Sequence, residues 1–140
     1  MTRFGPVFVV LAGCAAAWSG AAAAGDSVAD CAAATTTVDM IACAQADYEA
    51  ADGDLNETYK LAMDWLGAMS ADGGVPDGFP DPRAALREAQ LAWIAYRDRN
   101  CAWHYALAMG GTVRSLYQIG CLTEMTRART EELRRMTEPN

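Results

Sequence analysis

Between Ile41 and Met69, apolar or small side chains recur in steps of three and four: Ile41, Ala44, Tyr48, Ala51, Leu55, Tyr59, Ala62, Leu66 and Met69. A half-buried strand would alternate every second residue, so this period commits the segment to one long amphipathic helix. A helix with a single apolar stripe needs partners to cover that stripe. Thr36 or Thr37 can cap its start, with the helix running on from Val38. Gly53 lies inside it and costs about 1 kcal/mol without breaking it.

The partners follow in the chain. Residues 70–82, SADGGVPDGFPDP, hold three glycines and three prolines and read as a loop. Asp81-Pro82 is an N-cap followed by proline at the first helical position, and it opens a second helix that should end at Gly110-Gly111. A third helix spans roughly Thr112 to Met136, with Ile119, Leu122, Thr126, Arg129, Leu133 and Met136 facing inward. No internal repeat and no strand pattern occurs. The predicted fold is all-α: a small up-down-up three-helix bundle with an irregular N-terminal arm, in one domain of residues 25–140.

Residues 1–24 are set apart from that domain. A single positive charge at Arg3, an apolar run from Phe4 and the A-x-A sequence Ala22-Ala23-Ala24 have the layout of a signal peptide cleaved before Gly25. LAGC, Leu11 to Cys14, keeps a second route open, in which Cys14 is lipidated and becomes the mature N-terminus. The apolar run before Cys14 is short, which favours cleavage after Ala24. Either route places the protein in the periplasm or outside the cell, free or lipid-anchored. No second apolar run approaches membrane-spanning length.

Cleavage after Ala24 leaves four cysteines, Cys31, Cys43, Cys101 and Cys121. An even count in a small exported chain reads as two disulfides. No C-x-x-C occurs, and His104 is the only histidine, so a zinc site is disfavoured. Cys101 lies nine residues before Gly110 and Cys121 ten after Gly111, so the two should face each other across the second hairpin. Cys31 and Cys43 are left to clamp the arm onto the start of the first helix. Each bridge could add roughly 3 kcal/mol by restricting the unfolded chain.

The segment LREAQLAWIAYRDRNC, residues 86–101, raises a choice between a ligand surface and a polar interior. Gln90, Trp93, Arg97 and Cys101 share one helical face. Folding the first helix back on the second brings Asp52 and Asn56 near the level of Arg97. Arg97 is therefore expected as an interior cation held by Asp52, with amide help from Asn56 and Gln90. On this reading, removing Arg97 would strand Asp52 as a buried charge. The structural reading is preferred because each polar group has a partner within the bundle.

At these residues the chain resembles a known family. DC, TTTVDMIACAQADYEAADGDLNETY, LREAQLAWIAYRDRNC, the Gly-Gly break and CLTEMTRARTEEL together resemble the lysozyme inhibitor LprI-like family of small exported bacterial proteins. The matching positions are Cys31, Met40, Cys43, Asp52, Leu55, Asn56, Tyr59, Gln90, Trp93, Arg97, Cys101, Cys121, Thr126 and Arg129, within about residues 30–136. Gly53 departs from the pattern, where a better helix former is usual. The resemblance implies a helical envelope protein and, for the named member, inhibition of lysozyme.

Charge weighs on the choice of partner. The net charge is −7. Residues 26–81 hold twelve acids and one base, while residues 82–140 hold six acids and nine bases. The overall sign disfavours nucleic acid and favours a basic partner, or a dipolar domain whose halves attract each other; the resemblance implies a lysozyme or another peptidoglycan hydrolase as that partner. Asp72, Asp77 and Asp81, in the one long loop, are the candidate contact residues. The alternative is a non-inhibitory periplasmic module that binds a protein or a cell-wall fragment, with Trp65, Trp103 and Tyr105 as a candidate aromatic platform, although such aromatics are more often core. Catalysis is not expected, because no nucleophile, base and orienting group converge. No cofactor and no metal are expected.

Overall fold

The Thr36 hydroxyl accepts the Asp39 N–H at 3.1 Å and opens α1, Thr37–Ala71. The computed structural model describes residues 30–138. The signal-peptide expectation for residues 1–24 and the lipidation expectation at Cys14 lie outside the described residues. The apolar period of α1 is buried or half-buried along its length, with Ala51, Leu55, Ala62 and Leu66 the deepest of the positions read from it. Thr58 and Met63 join them.

The end of α1 is closed by backbone bonds. Asp72 N–H reaches Ala68 O at 3.0 Å and Gly74 N–H reaches Met69 O at 2.9 Å. Gly73 turns the chain at φ 76°. A Cβ on Gly74 would lie 2.7 Å from Met69 O, so only glycine fits there. Pro76 to Phe79 forms a second turn, with Phe79 N–H on Pro76 O at 3.2 Å and Gly78 at φ 86°. Asp81 then caps α2, Pro82–Leu107, its carboxylate accepting Arg83 N–H at 2.9 Å.

The helix α2 stops before Gly110, and α3 runs from Arg114 to Thr137. The connection is longer than the Gly-Gly break suggests because Met109 (φ 45°) and Gly110 (φ 85°) both adopt left-handed conformations. The inward stripe of α3 departs from expectation at its end. Met136 is exposed, and the stripe steps by four from buried Leu133 to half-buried Thr137.

The three helices form the expected all-α bundle, with α3 as its common partner. It packs extensively on α1 and well on α2, whereas α1 and α2 meet only narrowly. The expected fold-back of α1 on α2 is present at Asp52 and Arg97, but the larger interface of α1 is with α3. The reason is side-chain size: the buried positions include Ala51, Thr58 and Ala62 on α1 and Thr123, Thr126 and Thr130 on α3, and small residues let two axes approach closely. Thr123 and Thr130 satisfy their hydroxyls on the carbonyls of Ile119 and Thr126, at 2.9 and 3.0 Å. The interior face of α2 carries the longer Gln90, Trp93 and Arg97.

Few large apolar side chains are fully covered, and covalent links supplement them. Cys31 is bonded to Cys43 with their Cα atoms 5.6 Å apart, and Cys101 to Cys121 with theirs 5.5 Å apart. The first bridge ties the exposed arm to α1. The second ties α2 to α3 in the interior, where Cys101 is fully buried.

Candidate functional site

Arg97 projects from α2 into the seam where the three helices meet. Its Nη1 donates to Asp52 Oδ1 on α1 at 3.2 Å and to Thr126 Oγ1 on α3 at 3.1 Å. Its Nε donates to Asp98 Oδ1 at 3.0 Å. The guanidinium stands 5.2 Å from the Trp93 ring and 5.7 Å from the Tyr48 ring. Burial works against its charge, but the hydrogen bond to Asp98, the charge of the Tyr48 phenolate and the hydrogen bond to Asp52 together outweigh that and hold its pKa above the ordinary arginine value. Burial likewise pushes the Tyr48 phenol above its ordinary range, against the pull of the Arg97 charge.

The expected members of this cluster divide between two arginines. Asn56 donates to Asp52 Oδ2 at 3.1 Å and so orients the carboxylate that meets Arg97. Gln90 does not reach Arg97. Its Oε1 accepts Arg129 Nε at 3.0 Å. Arg129 also pairs with Glu132 at 2.8 Å and lies 5.9 Å from Trp93, so the Trp93 ring is close to two buried cations. Asp52 keeps 38% of its side-chain exposure, so it is not the buried charge the sequence suggested.

Asp98, Thr126 and Glu132 were not assigned as partners from the sequence. The RDR triplet at 97–99 signals Asp98 as a neighbour, and Thr126 lies on the predicted inward stripe of α3. A second link across the helices joins Arg127 to Asp47, on the surface. Among the described residues no buried side-chain polar atom lacks a partner. Among them, too, no three His, Cys, Asp or Glu side chains are placed to hold a metal ion. Arg97 and Arg129 are thus embedded in bonds to the chain itself.

The loop between α1 and α2 is the outward-facing feature. Asp72, Asp77 and Asp81 are all exposed, but they do different things. Asp72 follows the last turn of α1, Asp81 caps α2, and Asp77 is free at the second position of the Pro76–Phe79 turn. Phe79, which sequence reasoning passed over, is 69% exposed on this turn. An aromatic set between Gly78 and Pro80 in an otherwise polar loop was the available signal.

The aromatic candidates do not form one platform. Trp65, Trp103 and Tyr105 are all exposed, against the expectation that they belong to the core. Trp65 lies toward the loop end of α1, whereas Trp103 and Tyr105 lie at the other end of α2. The His104 ring is 4.2 Å from that of Trp103. No described helix is long and apolar enough to cross a membrane.

The polar seam, the two bridges and the loop all fall within the part of the chain that resembles other proteins. An uncharacterized protein of Rhizobium meliloti (strain 1021) is 39% identical over 110 residues, which is 78% of this chain and 79% of that one. No solved structure matches the chain. The family model described as lysozyme inhibitor LprI matches residues 29–133, from the arm through all three helices, and the chain therefore belongs to that family.

Proposed function

We propose that this protein is an exported inhibitor that binds a peptidoglycan hydrolase, with a basic lysozyme as the first candidate. The observation that carries this reading is the family match across residues 29–133. The chemistry of the surface supports it. Residues 26–81 carry a large excess of acid, and a basic enzyme would be steered to that side.

The contact we assign is the α1–α2 loop. Its ends are held by the Gly74–Met69 and Asp81–Arg83 bonds, so Asp77 and Phe79 are presented with little ordering left to do on binding. The protein acts as a binder and not as an enzyme, with no cofactor. Export proceeds by cleavage after Ala24 into the periplasm or beyond, with lipid anchoring at Cys14 as the alternative route.

Lysis of a cell-wall suspension by a basic lysozyme, followed by turbidity, tests the proposal. Purified, oxidised residues 25–140 should suppress clearing in a dose-dependent manner. Unchanged clearing at saturating protein, together with no detectable binding, would leave the alternative of a non-inhibitory envelope module.

A further inference from the structure

The end of the bundle opposite the loop has a different surface. Trp103, Tyr105, Leu107, Met109, Val113 and Tyr117 are exposed there within fifteen consecutive residues. Leu107 is 60% and Met109 89% exposed. Because α1 runs against α2, with Asp52 at Arg97, the start of α1 comes to the same end and adds exposed Val38 and Met40. Exposed apolar side chains grouped like this mark an interaction surface.

Met109 holds φ 45°, a conformation unfavourable for a residue with a long side chain, and that side chain gains no burial in return. At the same end, a cleft of about 500 Å³ opens between His104, Leu107, Ala108, Val113 and Tyr117.

Charge distinguishes the possible occupants. From Arg99 to Thr123 there is no acid, while Arg99, Arg114 and His104 are basic or can become so. Arg114 lies 5.0 Å from the Tyr105 ring. Three acids border the region: Asp30 and Asp39, at the start of the described chain, are bonded locally to Ala32 N–H and to Thr36, and Glu124 lines a cleft with His104 and Tyr117 on the α3 side. A second copy would bring the same cations face to face, with no acid between Arg99 and Thr123 of either copy to pair with them. A basic enzyme would be repelled for the same reason. Aromatic, aliphatic and arginine side chains without acids are the composition that settles into a phospholipid headgroup layer.

We propose that the α2–α3 tip docks on the surface of an anionic phospholipid bilayer. Met109 and Leu107 enter the boundary of the acyl region, Trp103, Tyr105 and Tyr117 lie at headgroup level, and Arg114 meets the phosphates. The acidic loop does not oppose this. The 26 residues of α2 place it about 39 Å away along the helix, several times the screening length of about 8 Å at physiological salt. The surface is independent of the proposed hydrolase contact, which it leaves facing outward.

The test uses oxidised residues 25–140, which contain every described element and exclude the proposed leader. Co-sedimentation with vesicles rich in phosphatidylglycerol is compared with vesicles of phosphatidylcholine alone. Binding should favour the anionic vesicles, with a blue shift of tryptophan emission that Trp103→Phe removes. Leu107→Asp with Met109→Asp should weaken binding by about tenfold or more, and Arg114→Glu should weaken it on the anionic vesicles. Both variants should melt like the parent, because these side chains are exposed. No vesicle binding, or binding indifferent to the tip variants, overturns the proposal. Tip variants that abolish a concentration-dependent dimer without any vesicle binding also overturn it, and assign the surface to a second copy.

Discussion

The fully buried hydroxyl of Thr126 accepts a 3.1 Å hydrogen bond from Nη1 of Arg97, and the same nitrogen reaches Asp52 at 3.2 Å. One guanidinium nitrogen thereby links all three helices. A group so placed reports on the packing of the whole bundle.

Arg97→Ala should destabilise the protein by about 2–3 kcal/mol, from the cavity it leaves and the buried Thr126 hydroxyl it strands. The cost stays below that of isolating a buried carboxylate, because Asp52 and Asp98 are both partly in water. Arg97→Lys should recover only part of it, since an ammonium cannot serve Asp52, Thr126 and Asp98 in one plane. Chemical denaturation measures both. Unchanged midpoints together with lost partner binding would make this seam a recognition site.

Alkaline stability should depend on Tyr48. Its folded-state pKa lies above the ordinary value of 10.0, chiefly through burial. The unfolded chain therefore releases this proton first as pH rises. The stabilisation is complete below pH 10.0 and is lost as pH climbs through the folded value. Tyr48→Phe should flatten the decline of melting temperature above that point. An unaltered slope would show that Tyr48 titrates as freely folded as unfolded.

The two bridges should differ in what they protect. Replacing Cys101 and Cys121 by serine removes a link between two helices and leaves hydroxyls at buried positions, so a loss of roughly 3 kcal/mol or more is expected. Replacing Cys31 and Cys43 frees an exposed arm, and hydrogen exchange should rise there with little change in the global melt. Equal global losses for the two pairs would mean that the arm is part of the cooperative core.

At Gly53 the sequence can be improved. A Cβ there meets nothing within 4 Å, and the residue is exposed in mid-helix. Gly53→Ala should stabilise by about 0.5–1 kcal/mol. A lower denaturation midpoint would reveal a local need for glycine that the packing does not show.

In the loop, the three acids should separate by experiment. Asp81→Ala should cost about 1 kcal/mol of stability through the lost cap, without affecting an encounter directly. Asp77→Asn should slow association with a basic lysozyme at low salt, while Phe79→Ala should speed dissociation. Stopped-flow binding at several salt concentrations resolves the two. Rates unmoved by either change would place the contact elsewhere.

The sequence alone determined what depends on near neighbours. The period of α1, the Thr36 and Asp81 caps, and the pairing of Cys101 with Cys121 about a short hairpin all follow from local geometry. Periodicity fixes which face of a helix is apolar. It does not fix how that helix is rotated against two others. Only the tertiary structure decided that small residues would bring α1 and α3 together, that Gln90 would serve Arg129 instead of Arg97, and that Asp52 would stay half in water. It also decided that Trp65 and Trp103 would point outward at opposite ends of the bundle. A shift of a fraction of a turn between packed helices exchanges one hydrogen-bond partner for another, and such a shift is set by the volumes of side chains far apart in the chain.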